Sequence, residues 1–344
     1  MRHASRAIAL SSLTLLALGL YGCPKGNESS SGGDTKGGNT PTTKSSTETS
    51  SSAKIRIAVI PKGTAHSFWK GMEAGALKAG EEEGVEVIWK GPDRENDITS
   101  QVNLVQNQSN NSVQGVVLAA TDATALVKPI KDLTSKGIAV VTVDSGVKED
   151  VAACYIATDN VRGGELGAEE LAKAIGGKGK VGLMLFLKGA VSNDEREKGF
   201  KQGLKKYPGI QIVSELYASS PAESLNLTTN MLTANPDIVG IFAAAEPNGV
   251  GAANYLRQTK KVGKIKLVAY DTSPEEVKAL NENIIQSLIV QNPYEMGYQG
   301  VKTVLKAIRK QTIDKKFVDS GVVVVTKENK DKPEIQKLLT VPTK

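Results

Sequence analysis

Lys54-Ile-Arg-Ile-Ala-Val-Ile-Pro-Lys-Gly-Thr-Ala-His-Ser-Phe-Trp-Lys-Gly-Met-Glu-Ala-Gly75 changes character half-way along. Ile55, Ile57, Val59 and Ile60 form an apolar run without a polar face, the pattern of a strand buried on both sides. Pro61, Gly63 and Thr64 break it, and helical spacing begins near His66 or Ser67 and continues through Met72, Ala76 and Ala79. In an open parallel sheet, ligands bind beyond the carboxyl ends of the strands, where loops pass into helices. This loop carries Lys62, Thr64, His66, Ser67, Phe68 and Trp69, in a chain that is only 4% aromatic. Two adjacent aromatics there have two readings: a platform for a ligand, or one ring packed into the core. His66 reads as a helix-start or pocket-rim residue.

The same alternation continues downstream. Apolar strand patterns fall at Val85–Trp89, Gly115–Ala119, Ala139–Val143 and Cys154–Ala157, with helical patterns between them. After Asp159-Asn160 the series resumes through Val181–Leu187, a helix from Asp194, Gln211–Leu216, Ala222–Ala234, Ile238–Phe242, Asn248–Lys260, Lys266–Tyr270 and Ile285–Val290. A helix Tyr294–Lys310 and a last strand Val318–Val325 complete it. Repeated strand–helix units with apolar strands predict parallel sheets covered on both faces. About 290 folded residues exceed what a single core of this kind usually holds, so two similar α/β lobes are expected.

What precedes the fold is different in kind. Met1 to Arg6 is basic, Ala7 to Leu20 is apolar, and Tyr21-Gly22-Cys23 follows. Residues 1–22 read as an export signal; the apolar run is short of the ~20 residues that a membrane span needs. Leu20-Tyr-Gly-Cys23 resembles a bacterial lipobox, which implies lipid attachment at Cys23; the other reading is an ordinary signal with a nearby cysteine. Residues 23–53 are mostly Ser, Thr, Gly, Asn and Lys and read as a disordered tether of about 30 Å reach. The two cysteines imply no disulfide framework, and Cys154 in an apolar run reads as a small buried hydrophobe.

The 43 basic and 37 acidic residues give a net charge of +6. The excess is scattered, with no basic cluster interleaved with aromatics, so no nucleic-acid partner is expected. Gly177-Lys-Gly-Lys-Val-Gly182 matches a dinucleotide fingerprint in letters only, because it precedes a strand instead of opening a helix. With two histidines in the chain, one of them in the signal, a multi-histidine metal site is excluded. No G-x-S-x-G nucleophile motif occurs. No enzyme activity, cofactor or metal is expected.

Several segments, in order, carry a specific resemblance: the opening strand with Ser67-Phe-Trp69, Val141-Thr-Val-Asp144-Ser145, Thr158-Asp-Asn160 with Gly163-Gly164, Glu195-Arg-Glu-Lys-Gly-Phe200, Ile241-Phe-Ala-Ala-Ala-Glu246-Pro-Asn248, Val268-Ala-Tyr270-Asp271 and Val290-Gln291-Asn-Pro293. Together they resemble the ribose-binding-like, type 1 solute receptors of sugar ABC importers. The resemblance implies two doubly wound parallel-sheet lobes joined by a three-segment hinge, with ligand clamped between them. The expected crossovers lie near Ala157–Asn160, Gln291–Asn292 and Asp319–Val322. One lobe is then 54–157 plus 292–320 and the other 158–291 plus 321–344.

Sugar hydroxyls need charged or amide partners, and the C–H faces of the ring need aromatic surface. By resemblance Phe68, Trp69, Asp144, Tyr270, Asp271 and Gln291 match family pocket positions. Lys62, His66, Ser145, Asp194, Asn226 and Glu246 complete the candidate set. Asp144 and Asp271 have a second reading as strand-end caps. The chain also departs from the family pattern, with Asp194 in place of an arginine, Ala245 and Ala119 in place of asparagines, and Ser224 and Asn226 where an aromatic and an arginine are common. Lys62 is then expected to be the principal pocket cation. Lys62 with Asp194 resembles receptors for the furanosyl signal autoinducer-2 and for rhamnose, which leaves sensing or uptake of such a ligand as the alternative to sugar import. The resemblance further implies an ABC permease as partner, a monomeric receptor, and a lipid-anchored location in the periplasm or at the cell surface.

Overall fold

A computed structural model describes residues 54–340. The expected signal, the lipidated Cys23 and the tether lie outside them. The chain builds β1 (Arg56–Ile60), α1 (Ser67–Glu83), β2 (Glu86–Trp89), α2 (Ile98–Asn107), β3 (Gly115–Leu118), α3 (Val127–Ser135), β4 (Ala139–Val143) and β5 (Tyr155–Ala157). A second series follows: α4 (Asn160–Ile175), β6 (Lys178–Leu185), α5 (Val191–Leu204), β7 (Gly209–Tyr217), α6 (Pro221–Ala234), β8 (Ile238–Ala243), α7 (Glu246–Gln258), β9 (Lys266–Tyr270), α8 (Pro274–Asn281) and β10 (Ile285–Gln291). Last come α9 (Pro293–Ile308), β11 (Phe317–Asp319), β12 (Val322–Thr326) and α10 (Pro333–Leu339).

Two six-stranded sheets result, ordered β11-β5-β4-β3-β1-β2 and β12-β10-β9-β8-β6-β7. All pairings are parallel except β12 on β10, which is antiparallel. The apolar runs explain this: Ile57 to Ile60, Val116 to Leu118 and Leu267 to Tyr270 are essentially without solvent exposure, as strands covered by helices on both faces must be. The expected strand Val318–Val325 is in fact two strands. Gly321, at φ 84°, turns the chain in the left-handed region between them, and each half joins a different sheet.

The chain passes between sheets three times: after β5, after β10 and between β11 and β12. The first two crossings end at capped helices. Asp159 accepts from Arg162 N to start α4, and Asn292 accepts from Glu295 N to start α9, each satisfying an amide that the helix cannot pair itself. The first and third crossings lie side by side. Asp319 Oδ1 accepts from both Gly321 N (2.9 Å) and Asp159 N (3.1 Å), and Thr158 Oγ1 donates to Gly321 O (3.1 Å).

Each lobe also brings two helices into unusually close contact through glycine. In the first lobe a side chain at Gly75 would run into the Tyr294 carbonyl, and one at Gly297 into that of Met72. In the second, Gly164 faces the Arg196 carbonyl and Gly199 that of Val161. The pairs α1–α9 and α4–α5 thus share one packing solution, and each places a helix start at the cleft.

Candidate functional site

The carboxyl ends of both sheets face each other across a cleft. β1 leads into Lys62 and then, at the start of α1, Phe68 and Trp69. β4 ends at Asp144 and β9 at Asp271. Both aspartates follow a strand directly and both hold positive φ, 57° and 75°. Aspartate tolerates that region better than most residues, and such geometry clusters at functional sites. Neither carboxylate caps a following turn. Asp144 meets Lys62 Nζ at 2.7 Å. Asp271 Oδ1 accepts from Gln291 Nε2 at 2.5 Å, and its Oδ2 accepts from Glu246 N at 3.1 Å.

These side chains enclose one cavity of about 390 Å³ including its mouth. Of the expected residues, Lys62, His66, Phe68, Trp69, Asp144, Glu246, Asp271 and Gln291 line it. Ser145 lies just behind. Its hydroxyl donates to Ser192 Oγ (2.9 Å) and accepts from Ser192 N (3.1 Å), joining the lobes. Phe68 and Trp69 belong to the first lobe's core and also wall the cavity. Their rings stand edge to face, centroids 4.9 Å apart at 88°, so they form a corner and not one flat platform.

Three expected residues are elsewhere. Asp194 does not line the cavity; it lies on the exposed face of α5, which begins at Val191, three residues before the expected start. The helix turns Ser192, Asn193 and Arg196 inward, and Asp194 Oδ1 instead accepts from Gly189 N (3.2 Å). Asn226 is exposed on α6; Ser224 and Thr228 are that helix's buried face. Tyr270, fully buried, sits behind the cavity wall under Arg196, whose guanidinium carbon lies 3.8 Å from its ring centre. Burial pushes the Tyr270 hydroxyl well above its usual range.

Arg196 is the cation that the sequence reading missed. It is buried, its Nε donates to Asn160 Oδ1 and its Nη1 to Ala244 O, both at 2.8 Å, and Nη1 stands 4.0 Å from Asp271. Lys62 therefore shares the cationic role, and its own charge is paired with Asp144. A run such as Glu195-Arg-Glu-Lys198 ordinarily marks a solvated helix face. The available signal was helical phase: Arg196 lies four residues before Phe200 and so on the core side. Glu95, from the loop before α2, was also missed. It lines the cavity, takes Trp69 Nε1 at 2.8 Å, and pairs with His66 Nδ1 at 2.5 Å.

Glu246 does something unusual across the cleft. His66, the residue before α1, makes no side-chain cap. The Glu246 carboxylate of the other lobe accepts from Ser67 N (3.4 Å) and Phe68 N (3.2 Å) instead. The first turn of α1 is thus capped from the opposite lobe, where the positive end of the helix dipole favours an acid. Burial pushes the Glu246 carboxyl up to about 7; His66 opposes the shift and Asp271 adds to it. Burial works to lower His66, but the hydrogen bond and charge of Glu95, with Glu246 and Asp271 beyond, raise it overall. Asp271 is raised by burial, which Arg196 opposes. Lys62 Nζ to Ser192 Oγ (3.0 Å), Ala123 N to Gly189 O (3.0 Å) and Asn96 Nδ2 to Ser219 Oγ (3.3 Å) also join the lobes.

Residues 57–312 match the family described as periplasmic binding protein domain. The chain belongs to that family. It is 29% identical over 272 residues to the D-allose-binding periplasmic protein of Escherichia coli K12, covering 75% of this chain and 86% of that one. It is 27% identical over 273 residues to the ribose import binding protein of the same organism, covering 79% and 91%. Among solved structures, a carbohydrate transporter solute binding protein from Agrobacterium radiobacter in complex with D-arabinose superposes with a TM-score of 0.81 at 33% identity, covering 84% of this chain and 99% of that one. An ABC transporter solute binding protein from Agrobacterium vitis with bound D-fucose gives 0.80 at 36%, covering 83% and 100%. The two-lobed fold and three-segment hinge are those of the ribose-binding-like type 1 members. No helix among the described residues is long and apolar enough to cross a membrane.

Proposed function

We propose that this periplasmic binding protein captures a neutral monosaccharide between its lobes and delivers it to an ABC importer. The observation that carries the reading is the convergence, in one cavity, of aromatic walls with carboxylates and cations from both lobes. Acceptors such as Asp144 and Asp271 suit hydroxyl donors, Arg196 and Lys62 suit hydroxyl oxygens, and Phe68 and Trp69 suit C–H faces.

Ligand touching both lobes stabilises their approach by its differential affinity for the closed arrangement. The bridges made by Glu246 and Ser145 add to that preference, and the closed form is the one to be presented to the permease. The furanosyl-signal alternative rested on Lys62 facing Asp194. Lys62 pairs with Asp144 instead, so the sugar reading is preferred. In the same reading Cys23 carries a lipid, the receptor works as a monomer, and it turns over no substrate.

Isothermal calorimetry against pentoses, hexoses and polyols tests the proposal. Micromolar or tighter binding to at least one monosaccharide is expected, and heatless titrations throughout the panel would overturn it.

A further inference from the structure

Glu95 comes from a polar loop between β2 and α2, yet its side chain is only 8% exposed and lines the cavity. Two groups hold it there, Trp69 Nε1 and His66 Nδ1, and both use the same oxygen, Oε1. Gly63 makes the position possible, because a Cβ there would meet Glu95 Cγ at 2.5 Å. The next residue, Asn96, reaches across the cleft to Ser219, which Glu223 in turn fixes through Ser219 N (2.8 Å) and Oγ (3.1 Å). The loop is therefore anchored to both lobes at the mouth of the cavity.

We infer that Glu95 is a ligand-contacting residue that sets specificity, its free oxygen accepting a hydrogen bond from a hydroxyl on the ligand edge nearest the mouth. The inference rests on the monosaccharide reading and deepens it. Trp69 and His66 both use Oε1, so neither serves Oε2, which is left to accept from a donor in the cavity that Glu95 lines. A carboxylate can only accept. The ligand must then present a donor at this edge, a hydroxyl or an amine. A deoxy position loses a charge-assisted bond, and a carboxylate or phosphate meets like charge.

The test is calorimetry of the unaltered protein, Glu95→Gln and Glu95→Asp, with the tightest-binding neutral monosaccharide, its monodeoxy analogues and its uronic acid. Gln keeps the shape and loses the charge; Asp keeps the charge and withdraws it by one methylene. A melting curve for each variant establishes that it folds. Both variants should bind the parent sugar at least about tenfold more weakly, the scale of a hydrogen bond to a charged group. For one deoxy analogue the substitutions should change affinity by less than about twofold, because the partner hydroxyl is already gone. The uronic acid, rejected by the unaltered protein, should gain relative affinity in Glu95→Gln. Equal losses for every analogue would reduce Glu95 to a packing role and overturn the inference, as would a parent affinity within twofold in both variants. If the unaltered protein binds no monosaccharide, the sugar reading falls and this inference falls with it.

Discussion

Replacing Glu246 by alanine separates the work of closing the cleft from the work of holding a sugar. The carboxylate makes two bonds across the lobes, to Ser67 N at 3.4 Å and Phe68 N at 3.2 Å. Both are long, so about 1 kcal/mol each is a fair value, and about 2 kcal/mol is lost in all. When the lobes part, water can cap α1 in its place, so the loss falls on the closed arrangement alone. At 1.36 kcal/mol per tenfold step, the closed-to-open ratio drops about 30-fold. Apparent affinity falls by as much wherever the closed form is the minority. Calorimetry reads the affinity, and small-angle scattering without ligand reads the opening as a larger radius of gyration.

Ser67→Pro is the companion variant, because it leaves Glu246 in place. Position 67 is the first helical residue, where proline is favoured. His66, at φ −81° and ψ 156°, already has the extended backbone that a following proline demands. Only the 3.4 Å bond is removed, so a loss of roughly fivefold is expected. If Glu246→Ala binds within threefold of the unaltered protein and scatters identically, the capping argument is wrong. A 30-fold loss with unchanged scattering would mean that Glu246 acts on the ligand and not on closure.

Acidity should tighten the protein. Glu246 is raised to about 7 and His66 above its ordinary 6.5, so the folded, closed state holds protons that the open or unfolded chain releases. Their contribution is complete below the unfolded values and is lost as pH rises through the folded ones. Asp271 and Glu276, also raised by burial, act in the same direction. Melting temperature should therefore fall between pH 5.5 and 8, with a shallower slope in Glu246→Gln; a rise with pH would contradict this. Arg196→Ala should cost about 3–5 kcal/mol in denaturant unfolding, since it leaves Asp271 buried without its cation. Arg196→Lys should recover little of that, because an ammonium cannot both stack on Tyr270 and reach Asn160 and Ala244. Asp194→Ala and Asn226→Ala should leave sugar affinity within twofold, and a fivefold loss for Asp194→Ala would return that residue to the pocket.

The fold was legible because parallel strands covered on both faces leave an unmistakable trace. Ile57 to Ile60 and Leu267 to Tyr270 have no polar face to confuse with a helix. Asp144, Asp271 and Gln291 were named through the family resemblance, and the strands place them at the carboxyl ends: Asp144 and Asp271 just after β4 and β9, and Gln291 as the last residue of β10. What the sequence hid depended on helix phase or on loops. Asp194 was named by family resemblance alone, whereas Arg196, two residues on, is on the face of α5 that lines the cavity, because inward and outward positions exchange within a single turn. Glu95 lies in Gly91-Pro-Asp-Arg-Glu-Asn-Asp97, a segment whose composition reads as solvated loop. Nothing local says that Gly63, a residue on another loop, has made room for one of its acids. Trans-capping by Glu246 was equally invisible, since the helix it caps begins 179 residues earlier.

The three crossings also fix the order in which the molecule can be finished. Met296 and Val301 of α9 share the first lobe's core with Met72 and Ala76 of α1, and Arg309 meets Glu83 at a separation of 226 residues. A growing chain therefore cannot complete its first lobe when β1 to β5 have emerged. It must wait until β6 to β10 have passed as well and α9 and β11 have followed, and β12 then arrives last to complete the second sheet. Contacts this distant in sequence carry a loop-closure cost before they return any stability. A chain ending after β10 would leave β5 and β10 as bare sheet edges, open to pairing with another copy. The two halves that grip a ligand together are thus also completed together, within the last few dozen residues of the chain.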